Sequence, residues 1–181
     1  MLSKKNSLPK WKTIHTIIFD FDGVFTDNKV WVDQKGNETV CCDRGDGLAF
    51  DVLRKFMTNN RWNLNYFILS RETNAVVSAR AKKLKIDCEQ SVINKGDFVQ
   101  SYLNKKCLNS TGLLYVGNDL NDLEIMSVGG WFVAPVDSHP KILESADVIF
   151  PQKGGQGFVR AFIEDLINVN KMETKEILNL L

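Results

Sequence analysis

The sequence predicts an α/β fold: a doubly wound, mainly parallel sheet of Rossmann-like type with a β-hairpin inserted after its first strand. Three observations carry that expectation. Short apolar runs at 13–19, 64–69, 112–116, 131–134 and 148–150 alternate with stretches of helical periodicity, as right-handed βαβ units require. Three of these runs end abruptly in polar residues, at Asp20 and Asp22, at Ser70, and at Asn118 and Asp119. Strand ends of this kind are where open α/β sheets bind ligands. Finally, two β-prone pieces flank a turn at Gly36 and Asn37 directly after the first run, which reads as a hairpin.

A chain of 181 residues, 44% hydrophobic and 25% charged, supports one substantial core. We expect one domain over 1–181, with 1–12 as a flexible lead, 28–42 as the hairpin insertion and 171–181 as a tail. The formal net charge of +1 gives no overall field for a nucleic acid or a membrane, and neither is expected as a partner. Cys41, Cys42, Cys88 and Cys107 lack the C-x-x-C spacing of a zinc or redox site and read as reduced structural residues. No run approaches transmembrane length and the basic start lacks a signal-peptide core, so the expected location is the cytoplasm.

In chain order, Pro9 argues against a helix in the lead, and the first strand, 13–19, enters the loop Asp20-Phe21-Asp22-Gly23-Val24-Phe25-Thr26-Asp27. Two carboxylates, a glycine and a hydroxyl at the end of a buried strand point to chemistry. Asp20 is the candidate nucleophile and Asp22 its acid/base partner. His15 and His139 have no metal-binding partner at useful spacing. The hairpin either covers the site, pairs with another subunit or is a plain edge hairpin. Asp43-Arg44-Gly45-Asp46-Gly47 then leads into a helix over 48–58, with Leu48, Val52 and Phe56 as a stripe reinforced by Ala49, Leu53 and Met57. Its charged entry is either an ordinary cap or the lining of a polar ligand pocket.

Ser70, after the strand 64–69, is either a helix N-cap or part of an anion site. The following helix, to 84, sends Val76, Ala79 and Leu84 to the core, and Arg80 can turn inward from its basic face. After a strand at 87–92, Lys95 opens a helix that buries Phe98, Val99, Tyr102 and Leu103. A lysine there opposes the helix dipole; a bound phosphate would compensate it, whereas an exposed lysine in a turn is the plainer reading. Further helices are expected at 122–128, at 140–145 and from 157, the last burying Val159, Phe162, Ile163, Leu166 and Ile167. A short amphipathic helix is expected within 172–181.

The strand ends converge in a doubly wound sheet, and oxygen ligands without a His/Cys cluster favour Mg²⁺ over zinc. A carboxylate nucleophile beside Mg²⁺, a hydroxyl and a lysine suits phosphoryl transfer. At this point the chain resembles the haloacid dehalogenase superfamily of phosphatases. Asp20-Phe21-Asp22-Gly23-Val24-Phe25-Thr26 fits its D-x-D-G-V-x-T signature, Ser70 its second motif, Lys95 its third, and Gly117-Asn118-Asp119-Leu120-Asn121-Asp122 its acidic fourth. The hairpin, Asp46-Gly47 and the terminal Gly154-Gly155-Gln156-Gly157-Phe158-Val159-Arg160 resemble the capless branch. That branch includes 3-deoxy-D-manno-octulosonate 8-phosphate phosphatase and the related domain of acylneuraminate cytidylyltransferases. Leu69-Ser70-Arg71-Glu72-Thr73-Asn74 looks closer to the sialic-acid side.

The resemblance implies a Mg²⁺-dependent phosphatase of lipopolysaccharide or sialic acid biosynthesis, acting on a 2-keto-3-deoxy sugar-acid phosphate through an aspartyl phosphate. It also implies a homotetramer in which the hairpin caps a neighbour's site. Asp20, Asp22, Ser70 and Lys95 would be catalytic, and Asp20, Asp22, Asn118 and Asp119 would hold the metal. Thr26, Asp43, Arg44, Gly45, Asp46, Gly47, Glu72, Arg80 and Arg160 would line the substrate site. Two departures stand out: Asn118 replaces the Asp usual at a metal position, so Asp119 or Asp122 would share that role, and Ala161 follows Arg160 where Glu is common. Two other readings compete. One is a non-catalytic assembly module partnering a cytidylyltransferase; the other is a phospho-accepting receiver domain, disfavoured because its phosphorylated Asp belongs on a middle strand.

Overall fold

The computed structural model describes residues 7–181. Part of the expected lead, 1–6, lies outside that range; within the rest, Leu8 and Trp11 pack against the core, and Trp11 meets Phe56 and Trp62 at ring-centroid distances of 5.1 and 5.2 Å. After a single 3₁₀ turn at Trp11–Thr13 come β1 (Thr16–Phe19), the hairpin strands β2 (Thr26–Val32) and β3 (Glu38–Cys42), α1 (Gly45–Asn60) and β4 (Asn65–Leu69). These are followed by α2 (Ala75–Leu84), β5 (Asp87–Glu89), α3 (Lys95–Lys106), β6 (Leu113–Val116) and α4 (Leu123–Val128). The chain ends with β7 (Trp131–Pro135), α5 (Pro140–Ser145), β8 (Val148–Phe150), α6 (Phe158–Leu166) and α7 (Thr174–Leu178).

Six strands form one parallel sheet in the order β5-β4-β1-β6-β7-β8, so the predicted fold class holds. The chain builds outward from β1 through β4 to β5, then crosses to β6 on the other side. This reversal puts the topological switch point beside β1, the place where such sheets open a crevice. Strand side chains alternate between two cores. Ile17 and Phe19 of β1 face one core with α1 and α6, and Ile18 faces the other with α3 and α4. On the first face Phe19 packs edge-on against Phe25, Phe50 and Phe162 at 5.6–5.8 Å, an aromatic knot directly beneath the Asp20 loop.

The hairpin is not an edge of this sheet: β2 and β3 form a separate two-stranded antiparallel sheet, which removes the plain-edge reading. A register shift between Thr26 and Val30 and the left-handed Asn28 (φ 62°) break the pairing where the hairpin leaves the Asp20 loop. Several boundaries and faces differ from expectation: β1 starts at Thr16 rather than 13, and α1 spans Gly45–Asn60 rather than 48–58. β5 stops at Glu89 rather than Val92. The buried side of α2 is Val77, Ala81 and Leu84, spaced four and three apart; Leu84 shares that face, whereas Ala79 is exposed and Val76 half-buried. In α1 the core side centres on Ala49, Phe50, Leu53 and Phe56, which leaves Leu48 at the margin, beside Leu180 and Leu181.

Candidate active site

The site begins where β1 leaves the sheet. Asp20 N–H still bonds to the Val116 carbonyl at 2.8 Å, but from Phe21 the chain turns, and Phe25 N–H bonds back to the Phe21 carbonyl at 2.9 Å. Phe21, Val24 and Phe25 are fully buried and pull the loop into the core, so Asp20 is held at the rim while Asp22 stays half-buried. Gly23 supplies the required left-handed backbone (φ 72°), and a Cβ there would lie 2.0 Å from Asn118 Nδ2. Thr26 closes the loop. Its hydroxyl oxygen accepts from Gly23 N–H and Asn28 N–H, both at 3.1 Å, and the side chain is wholly buried, so it shapes the site rather than facing a ligand.

Lys95 is the first residue of α3 and fully buried, with Nζ 2.8 Å from Asp20 Oδ1 and 2.7 Å from Asp122 Oδ1. These two carboxylates supply the counter-charge that a cation at a helix N-terminus needs. Burial alone would lower the Lys95 pKa, but Asp20 and Asp122 outweigh it and the net shift is upward. Asp20 moves up to about 7, because burial and the nearby Asp122 charge favour its neutral form against the pull of Lys95. Asp22 is also raised, by burial and then by Glu72, with Glu38 of the hairpin adding to the effect. A carboxyl that keeps its proton is suited to general-acid work. Both hydrogen bonds to Asp20, from Phe21 N–H at 2.7 Å and from Lys95, fall on Oδ1. Among the described residues Oδ2 is left without one.

The fourth strand end has two distinct parts. Asp122 is saturated: Oδ1 accepts from Lys95 and from the Tyr115 hydroxyl (2.6 Å), and Oδ2 accepts from Asn118 N–H (2.9 Å) and Asp119 N–H (3.2 Å). It has no oxygen to spare for a metal. Asp119 uses Oδ1 to cap the following turn through Leu120 N–H. Asn118, by contrast, is buried against the Asp20 loop with Oδ1 unpartnered. A buried amide oxygen with no donor is costly unless a ligand completes it. Among the described residues no three His, Cys, Asp or Glu side chains form a metal cluster. The oxygens that remain, on Asp20, Asp22 and Asn118, suit a hard divalent cation, so the residues present fit one.

Ser70 is buried one residue beyond β4 and accepts from Glu72 N–H at 3.0 Å, which is an ordinary turn role. Glu72 is exposed and holds the start of the 73–74 turn, while Asn74 donates to Glu38 of the hairpin at 2.8 Å. The remaining expected residues gather elsewhere, at the entry to α1. Arg80 turns inward and donates to the Asp43 carbonyl at 2.6 Å, and Asp43 accepts from Gly45 N–H, also at 2.6 Å. A Cβ on Gly45 would come within 3.2 Å of Arg160 Cδ. Asp46 is buried there with both oxygens unpartnered, as is Arg80 Nε. Arg44 is exposed, Gly47 half-buried, and Arg160 pairs with Glu164 at 2.8 Å. Sequence reasoning gave Tyr115 and Glu38 no part in the site. A tyrosine in an otherwise aliphatic strand was the signal for the first; nothing marked the second.

An open parallel sheet with this carboxylate and lysine arrangement at its switch point is suited to phosphoryl transfer. Residues 49–162 match the haloacid dehalogenase-like hydrolase family, and the chain belongs to it as a phosphoric monoester hydrolase. The 3-deoxy-D-manno-octulosonate 8-phosphate phosphatase of Salmonella typhi is 29% identical over 161 residues, 88% of this chain and 82% of that protein. A haloacid dehalogenase family hydrolase from Streptomyces avermitilis shares the structure with a TM-score of 0.84 and 33% identity, over 94% of this chain and 96% of that one. The Moraxella catarrhalis 3-deoxy-D-manno-octulosonate 8-phosphate phosphatase, solved with a magnesium ion, a phosphate ion and KDO, gives 0.77 at 24% identity, over 87% and 88%. At that identity it speaks for the fold.

Proposed function

We propose that this chain is a Mg²⁺-dependent phosphatase acting on a 2-keto-3-deoxy sugar-acid phosphate, of the octulosonate 8-phosphate or nonulosonate 9-phosphate type. The observation that carries the reading is Lys95, fully buried and held between Asp20 and Asp122 at the end of the central strand. The substrate class rests on similarity to phosphatases named for such a sugar acid. In this reading Asp20 Oδ2 attacks phosphorus, the bond from phosphorus to the sugar oxygen breaks, and Asp22 gives that oxygen its proton. Asp22 then takes a proton from a water, which attacks phosphorus and frees Asp20 and inorganic phosphate. Lys95 and Ser70 hold the phosphoryl oxygens. Asp43, Gly45, Asp46, Arg80 and Arg160 receive the sugar acid. A divalent cation held by Asp20, Asp22 and Asn118, with Asp119 nearby, supplies charge that keeps Asp20 ionised and neutralises the phosphate.

No helix among the described residues is long and apolar enough to cross a membrane, and a cytoplasmic homotetramer completes the reading. The decisive assay is phosphate release with Mg²⁺ from octulosonate 8-phosphate and from nonulosonate 9-phosphates, for wild type and for Asp20→Asn. Turnover by wild type and none by the folded variant is expected. Turnover retained in Asp20→Asn would sink the mechanism, and wild-type inactivity on every sugar-acid phosphate, with capture of a cytidylyltransferase, would favour the assembly module.

A further inference from the structure

Tyr115 takes no part in the chemistry set out above, yet its hydroxyl is aimed into the centre of the site. We infer that Tyr115 is a positioning residue for Lys95, acting through Asp122; the inference rests on the reading of Lys95 as the group that holds Asp20 and the phosphate. The side chain is wholly buried between β6 and the second core, with its ring 5.5 Å from that of Phe132. Phenylalanine would supply the same ring contacts without the cost of burying a hydroxyl. The hydroxyl is therefore explained by its partner, and that partner is Asp122 Oδ1 at 2.6 Å.

The same oxygen accepts from Lys95 Nζ at 2.7 Å, while Oδ2 is occupied by Asn118 N–H and Asp119 N–H. Four donors lock the Asp122 carboxylate in one orientation. Of the three N–H groups on the ammonium, one goes to Asp122 and one to Asp20, leaving the third for a phosphoryl oxygen. The ammonium also lies 5.9 Å from the Tyr115 ring centroid, so ring and hydroxyl both bound its position. Gly117 leaves the space this needs: a Cβ there would stand 2.5 Å from Asp122 Oδ2 and 2.7 Å from Tyr115 Cε1. Without the hydroxyl, Asp122 Oδ1 has Lys95 as its one donor and draws Nζ away from Asp20.

The test is Tyr115→Phe, read by crystal structure and by steady-state kinetics on whichever phosphate ester wild type hydrolyses. The structure should show Lys95 Nζ beyond hydrogen-bond reach of Asp20 Oδ1. The kinetics should show kcat about tenfold lower with KM changed by no more than about twofold. A thermal midpoint within about 5 °C of wild type would establish that ring packing survives. 4-Aminophenylalanine at position 115 keeps a donor there and should restore both readouts. Should Tyr115→Phe not fold, 4-aminophenylalanine and 4-methylphenylalanine, alike in size, give the same comparison with and without a donor. An unmoved Lys95 and unchanged kcat in the donor-free variant would overturn the inference and reduce Tyr115 to packing. Inactive wild type with a displaced Lys95 in Tyr115→Phe would instead count against the phosphatase reading and leave the positioning role standing.

Discussion

Asp46 lies in the first turn of α1, 1% exposed, with neither carboxylate oxygen hydrogen bonded. Burial, and then the Asp43 charge, lift its pKa from 3.8 to about 7 against the pull of Arg80 and of the nearby Arg160 backbone N–H and guanidinium. Because the folded value exceeds the unfolded one, the folded chain holds an extra proton between these limits, and stability falls as pH rises through that window. Asp46→Asn removes the penalty. Urea unfolding should show the variant more stable than wild type at pH 8, by roughly 4 kcal/mol at most, with the gain shrinking towards pH 5. An equal effect at both pH values would mean that the carboxylate is paired. Asn118 makes the second residue-scale prediction: Asn118→Asp should tighten Mg²⁺ binding by roughly tenfold in calorimetry, since a carboxylate adds a charge that the amide lacks. Unchanged affinity would remove Asn118 from the ligand set. The nucleophile loop, Ser70 and the fourth motif were legible as polar residues at the ends of apolar runs, and Lys95 as a lysine set against a helix dipole. The saturation of Asp122 was not, because it depends on where Tyr115, Lys95 and two backbone N–H groups meet in space.

Among the elements, the 153–157 loop is the one whose role spacing did not reveal. It crosses directly over the Asp20 loop: Gly155 N–H bonds to the Val24 carbonyl at 3.1 Å, and a Cβ on Gly154 would sit 2.0 Å from the Gly23 carbonyl oxygen. Two backbones approach so closely that no side chain fits between them. Gly154→Ala should cost about 1–3 kcal/mol in urea unfolding and lower kcat, because relief of the contact must move the strand end that carries Asp22. A variant with wild-type stability and rate would show the two loops to be independent. α3 teaches the converse lesson. Of its expected buried face, Val99 and Leu103 are buried and Phe98 and Tyr102 half-buried, yet the reason for a lysine at its first position lay in β1 and the loop before α4. The α2 stripe was misplaced by one residue, because Val76 and Leu84 were counted on one face although only Val77 is in phase with Leu84.

At the scale of the molecule, the hairpin is tied to the body through Thr26, Val40, Cys42 and the Glu38–Asn74 hydrogen bond, but its far end is left uncovered. Among the described residues its two strands pair only with each other, and Val30, Trp31 and Val32 are exposed, Trp31 by 74%. In the proposed homotetramer other copies cover these residues, Val30 and Val32 on one face of β2 and Trp31 on the other. Trp31→Glu should therefore shift the sedimentation coefficient from that of a tetramer towards that of a monomer and reduce turnover. Wild type that sediments as a monomer would end the tetramer reading. The sequence by itself determined the parallel sheet and the polar strand ends, because hydrophobic periodicity and the chemistry that interrupts it are local signals that survive without coordinates. Tertiary structure decided which of those polar atoms remain available. Asp122 and Thr26 are consumed by hydrogen bonds, Asn118 Oδ1 is left open, and Lys95 is placed between two carboxylates. Hydrogen-bond saturation is set by neighbours brought together from distant strands, and no window of sequence contains them.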